Sequence, residues 1–210
     1  MLPYRKLKAP VVAVLALAIV SCSSKDGDPC AFDLESHRKS VDSEFATFDA
    51  PLTSEQKAVF TGLDYFAGDS SFCIAAEFIR AVDAEIFDMP TFDEASIPFQ
   101  EYGTFTFEIG GETQTLTGYQ RMDLPEDNRQ WVLIPFKDAT NGRDTYGGGR
   151  YLHIKLPIQS QTSIDFNRAF NPWCAYDLGY VCPLPPVKNW LRVSIEAGEK
   201  SFKGKLPEAT

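Results

Sequence analysis

Residues 102–109 read Tyr102-Gly103-Thr104-Phe105-Thr106-Phe107-Glu108-Ile109. Apolar side chains recur at 105, 107 and 109, with polar ones between. A period of two places the apolar set on one face of a half-buried strand. Gly110-Gly111 follows, a dipeptide that accepts the positive φ angles of a tight hairpin turn. Residues 113–122 are then the return strand. This hairpin marks the centre of the chain as antiparallel β.

Working outward, Trp131-Val132-Leu133-Ile134-Pro135-Phe136 reads as another strand, with Pro135 near an edge or an end because it cannot donate to a ladder. A loop over 138–149 carries the turn dipeptide Asn141-Gly142. Residues 150–156 are the next strand. After a Pro-rich excursion, residues 190–195 read as the last one. Upstream, Leu34, Val41, Phe45 and Phe48 sit at helical spacing. Pro51-Leu52-Thr53-Ser54-Glu55 is a turn into a short helix capped by Thr53 or Ser54. The aromatic cluster of residues 60–66 is assigned to the core; 72–82 is read as a strand, with a helix through Ala75, Ala76, Phe78 and Ile79 as the alternative. The fold class expected is mainly β with N-terminal helices (α+β). Its core is an antiparallel barrel, split-barrel-like sheet or sandwich, with the helices packed at one end.

The N-terminus decides location. Arg5, Lys6 and Lys8 precede an apolar run from Ala9 to Val20. That run is too short for a spanning helix, which needs ~20 residues, and has the size of a signal-peptide core. Ile19-Val20-Ser21-Cys22 resembles a bacterial lipobox, in which the cysteine is acylated and becomes the mature N-terminus. The organisation expected is therefore a lipoprotein signal peptide (1–21), a polar tether (22–32) and one globular domain (33–210). The implied partner is a lipid bilayer, through acyl chains on Cys22. The implied location is the bacterial envelope, lipid-anchored at the outer membrane, on its periplasmic side or at the cell surface. Lys25-Asp26-Gly27-Asp28 also resembles a surface-export signal, although a solvated tether accounts for it as well.

Removing residues 1–21 leaves 17 basic against 29 acidic residues, a net charge of −12. Such a chain is repelled by phosphate backbones, so nucleic-acid binding is excluded as an expectation. With Cys22 set aside, Cys30, Cys73, Cys174 and Cys182 remain. An even count in an exported chain predicts two disulfides, and Cys30–Cys73 with Cys174–Cys182 is the favoured pairing of three. No Cys-x-x-Cys or His-x-x-x-His spacing occurs, and His37 and His153 are the only histidines, so no metal site is expected.

The densest unusual chemistry lies between Ile134 and Lys200. It includes Ile134-Pro135-Phe136-Lys137-Asp138, Thr145-Tyr146-Gly147-Gly148-Gly149-Arg150-Tyr151-Leu152 and Asp165-Phe166-Asn167. It continues through Asn171-Pro172-Trp173-Cys174-Ala175-Tyr176, Cys182-Pro183-Leu184-Pro185-Pro186, Asn189 and Ala197-Gly198-Glu199-Lys200. With Pro51-Leu52 and residues 60–66, these motifs resemble the bacterial family known only as domain of unknown function 1684, from about Phe45 to Lys200. The resemblance supplies a grouping and no activity. At His153 the family more often carries an acidic residue, so the resemblance implies no site role there.

Read as chemistry, Gly147-Gly148-Gly149-Arg150 has the parts of an anion cradle, backbone N–H groups plus a guanidinium. It also has the parts of a turn that glycine alone permits. Asp138 either caps its loop or pairs with Arg150. Asp165, Asn167 and Asn171 supply short polar groups for a pocket, Tyr146 and Tyr176 supply hydroxyls, and Glu199 and Lys200 supply an ion pair. No Gly-x-Ser-x-Gly elbow, His-Glu-x-x-His or dinucleotide fingerprint occurs. Two classes of function follow. The first is a module binding a small anionic ligand or an envelope protein through the 146–150 and 165–176 loops. The second is an enzyme, either a flavin-type split barrel or a hydrolase working through Asp138, Asp165 and Glu199. The cofactor is left unknown.

Overall fold

The computed structural model describes Cys30 and residues 33–47, 51–93 and 95–204. Residues 1–21, expected to be a signal peptide, Cys22, the 25–28 tetrad and Phe48 lie outside the described residues.

Two helices lead. α1 (Leu34–Phe45) is capped by the Asp33 side chain, which accepts from the Ser36 N–H. α2 (Ser54–Val59) starts with a capping box between Thr53 and Gln56, two end groups satisfied reciprocally. Seven strands follow: β1 (Cys73–Arg80), β2 (Ile86–Pro90), β3 (Ser96–Ile109), β4 (Glu112–Arg121), β5 (Trp131–Phe136), β6 (Arg150–Lys155) and β7 (Gln161–Asp165). They form one antiparallel sheet, ordered β6-β5-β4-β3-β1-β7 with β2 also on β3, curled into a half-barrel. The mainly β fold with an N-terminal helix is the one the sequence predicts.

The β3–β4 hairpin is the spine. It pairs from Phe99 opposite Arg121 to Ile109 opposite Glu112. Gly110 and Gly111 turn it at φ 62° and 79°. A bulge between Glu101 and Gly103 reverses which face the β3 side chains take. Beyond it, Phe105 lies opposite Leu116, and both join Val132, Ile134, Phe136 and Leu152 in the main core. Before it, Ile97 and Phe99 turn to the other face and meet Met89 and Tyr119 in a second, smaller core. Gly103 permits this crossing, because a Cβ there would lie 2.5 Å from the Ile79 carbonyl oxygen and 2.5 Å from the Phe78 ring.

β4 and β5 share one register pair, Tyr119 with Leu133. Pro135 has no N–H to extend the ladder. The Asn189 amide takes over. Its Oδ1 accepts from the Thr117 N–H, and its Nδ2 donates to the Thr117 and Pro135 carbonyls, all at 2.8 Å. Asn189 sits in a short 3-10 turn, Val187–Asn189, and is fully buried.

Several expectations are corrected. Residues 190–195 form no strand. Their backbone pairs with residues 137–139 only as far as Val193, through the Leu191 N–H to the Lys137 carbonyl and the Ala139 N–H to the Val193 carbonyl. Beyond that the Ile195 N–H goes to Asp138 and its carbonyl to Arg150, so side chains end the pairing there. β2 and β7 were not foreseen; β7 is largely polar and lies at the sheet edge. Phe60, Leu63, Tyr65 and Phe66 are half-buried rather than core. Cys30 and Cys73 are bonded as expected. Cys174 and Cys182 are not; both are buried free thiols, and the Cys174 N–H donates to Cys182 Sγ at 3.2 Å. Loop length sets the entropy of a bridge but not whether two sulfurs are placed to bond.

Asn189→Ala removes three buried hydrogen bonds and leaves the Thr117 N–H without an acceptor. A loss of about 2–4 kcal/mol is expected, measured by urea unfolding.

Candidate functional site

β6 separates two regions. Alternation along it puts Arg150 on the core side and Tyr151 on the opposite face.

On the core side Arg150 is 0 % exposed. Its Nη2 donates to Asp138 Oδ2 and to the Ile195 carbonyl, each at 2.8 Å. Its Nη1 donates to the Ala197 carbonyl and, at 3.3 Å, to that of Glu199. Asp138 Oδ1 accepts from the Thr140 N–H at 2.8 Å, the Thr140 hydroxyl at 2.6 Å and the Ile195 N–H at 3.2 Å. Burial lowers the pKa of Arg150, and the Asp138 charge opposes that.

Glu199, 2 % exposed, is the second node. Its Oε2 accepts from the Asn171 N–H at 2.9 Å and its Oε1 from the Tyr176 hydroxyl. Asn171 Nδ2 donates to the Lys200 carbonyl at 2.7 Å. Burial raises the Glu199 carboxyl to about 8, against the lowering effect of Asn171 and Arg150.

Asp138, Arg150, Asn171, Tyr176, Glu199 and the Lys200 backbone therefore do meet, in a sealed polar network. Its enclosure corrects the anion-cradle reading of Arg150. The adjoining glycine loop is a packing device. Gly149 has φ 100°, and a Cβ on it would lie 2.6 Å from Pro185 and 2.7 Å from the Phe136 carbonyl oxygen. The same enclosure removes the open paired-carboxylate cleft that a hydrolase would use. The expected Glu199–Lys200 ion pair is not formed, and Lys200 Nζ instead lies 4.8 Å from the Phe66 ring centroid. Asp165 and Asn167 stand elsewhere, where Asn167 exchanges hydrogen bonds with the Asp69 backbone and donates to Asp165. Tyr146 is half-buried, with its hydroxyl 3.9 Å from Cys174 Sγ.

The opposite face carries an open groove of about 380 Å³. Phe99, Tyr119 and Leu133 form its floor. Its walls come from Trp131 and His153 on the sheet and from Phe170, Trp173, Tyr180 and Pro183 in the excursion that folds over it. Tyr151 ties sheet to excursion. It exchanges backbone hydrogen bonds with Phe170 at 2.8 and 3.0 Å, and its hydroxyl donates to the Pro183 carbonyl. The rings run on from one another: Trp131 to His153 at 6.0 Å, His153 to Phe170 at 5.0 Å and Phe170 to Tyr151 at 5.9 Å, with Trp173 on Tyr180 at 5.0 Å. Trp131 and Trp173 remain 44 % and 48 % exposed. His153 is exposed and lines both this groove and a second cavity beside Leu152, Ile154 and Arg168. Desolvation by the protein packed near it, then the Arg168 charge, lowers its pKa.

The sequence analysis named the 165–176 loop, which supplies Phe170, Pro172 and Trp173 to the groove, but none of the groove side chains as a ligand-binding residue. The signal available was the odd-numbered outward set Tyr151 and His153 on a strand that also carries buried Leu152, together with tryptophans in polar surroundings.

The model of the family described as a protein of unknown function (DUF1684) matches residues 58–200. The chain belongs to that family. The family region holds both the sealed network and the groove. The chain is also similar to an uncharacterised protein of Haloarcula marismortui solved by solution NMR. The two are 31% identical, with a TM-score of 0.64, over 80% of this chain and 91% of that one. No curated protein matches.

Arg150→Ala strands Asp138 as an unpaired buried charge and releases three carbonyls. It is expected to cost about 3–5 kcal/mol, read by urea unfolding. Glu199 gives a pH test. Its folded pKa lies above its unfolded value, so its stabilising protonated form prevails at low pH and the fold loses stability as pH rises through about 8. Relative to wild type, Glu199→Gln is expected to gain stability steadily from about pH 5 to about pH 9, measured as unfolding free energy at each pH.

Proposed function

We propose that this protein is a lipid-anchored bacterial envelope protein whose β domain is a binding module for a small ligand, with the aromatic groove as its site. The groove carries the reading. It is open, largely apolar, within the size range of small-molecule pockets and walled by rings with exposed faces. Asp138 and Glu199, two of the three carboxylates that would support acid–base chemistry, are consumed in the network on the other face, and Asp165 stands apart from both regions, which favours binding over catalysis. The lipobox resemblance around Cys22 supports anchoring at the membrane, and the acidic mature chain supports an extracytoplasmic, nucleic-acid-free setting.

Native mass spectrometry of the protein extracted in mild detergent from a lipidating bacterial host tests both parts. Two increments over the polypeptide mass are expected: acyl chains, lost in Cys22→Ala, and a noncovalent ligand, lost when Leu133→Trp fills the groove floor. A bare polypeptide mass defeats the anchoring. Retention of the ligand by a folded Leu133→Trp variant defeats the groove.

A further inference from the structure

We infer that the groove takes a planar aromatic ligand bearing one anionic group, such as a carboxylate; this rests on the groove being the binding site. The first observation is one of charge. The chain carries 29 acidic and 20 basic residues, yet no Asp or Glu lines the groove and two arginines, Arg121 and Arg129, do. In an acidic protein this local reversal of sign is the field that draws an anion to one place.

The second observation is how the two arginines are held. Arg121 is matched by Asp123, through Nε to Oδ1 at 2.6 Å and Nη2 to Oδ2 at 2.8 Å. Arg129 is anchored by neutral groups, with Nε on the Leu124 carbonyl at 2.7 Å and Nη2 on the Met122 carbonyl at 2.8 Å. Those bonds fix the guanidinium without cancelling its charge. Asp123 acts on Arg129 through space as well, so the three groups together carry one net positive charge. Nη1 of Arg129 has no acceptor among the described residues, which leaves a donor for a carboxylate oxygen.

The third observation concerns shape. Trp131 and Trp173 present exposed ring faces, and a flat ring system stacks on such faces. Aromatic walls alone would also suit a cation. Here Lys155 Nζ already lies 5.9 Å from the Trp131 ring centroid, and with the arginines it repels a second positive charge.

The test is calorimetric titration of the purified protein with naphthoate, naphthylmethanol and naphthylmethylamine, with the Trp131 and Trp173 indole signals followed by NMR. Naphthoate is expected to bind about tenfold more tightly than the alcohol, and the amine most weakly. Arg129→Gln is expected to erase the advantage of naphthoate over the alcohol. Arg129 also anchors the Met122–Leu124 turn, so Arg129→Lys separates charge from anchoring: retained preference in the lysine variant supports the charge. Loss of preference in both variants overturns it. Equal binding of acid and alcohol, with shifted indoles, overturns charge selection while the groove stands. Unmoved indoles and no heat with any of the three overturn the groove itself.

Discussion

The structure depends on a buried guanidinium. Removing a charge of that kind from water costs several kcal/mol unless its donors and its charge are matched inside the protein. Arg150 is matched by Asp138 and by the Ile195, Ala197 and Glu199 carbonyls. That requirement draws the C-terminal segment across the end of β5 and β6. It also explains why the backbone pairing of residues 189–193 with 137–139 stops at Ile195, whose backbone groups serve the ion pair. Glu199 then continues the network to Asn171 and Tyr176, so one charge pair organises three distant stretches of chain.

Two local devices set the rest. The bulge at Glu101–Gly103 lets a single strand, β3, feed two cores on opposite faces. Asn189 closes the seam that Pro135 leaves between β4 and β5. Together they curl the sheet and keep it open, and the open side is where residues 170–183 lie down. Because β6 alternates, fixing Arg150 on one face also fixes Tyr151 and His153 on the other. The sealed network thus positions the groove while taking no part in it.

This division assigns opposite physical tasks to the two faces. The polar face is sealed: apart from Arg150 Nε and Asn171 Oδ1, which are buried without a hydrogen-bond partner, its strongest groups are bonded to one another, so their chemistry is spent on stability. The aromatic face is incomplete: rings stack along it, yet two tryptophans keep exposed surface in a strongly acidic chain. Exposed aromatic area beside an arginine is surface that a ligand can cover.

The hairpin, the capping box at Thr53, the glycine turn and the mainly β class were legible because each follows from neighbours in sequence: alternation, a side chain three residues from an N–H, a backbone needing positive φ. The motif cluster of 138–200 was also visible, and most of its polar members do come together. Whether Arg150 faced a ligand or the interior was not legible, since burial depends on residues 195–199 crossing β6 from some fifty positions away. Nor was the free state of Cys174 and Cys182, which turns on sulfur placement rather than spacing. The groove was least legible of all. Its rings come from β3, β4, β5, β6 and the 170–183 excursion, and a site assembled from separated strands has no linear signature. The sequence by itself determined the central hairpin, the N-terminal helices, the mainly β class and the family grouping. The tertiary structure alone decided which face would be sealed and which left open, because that choice is made by long-range contacts among side chains.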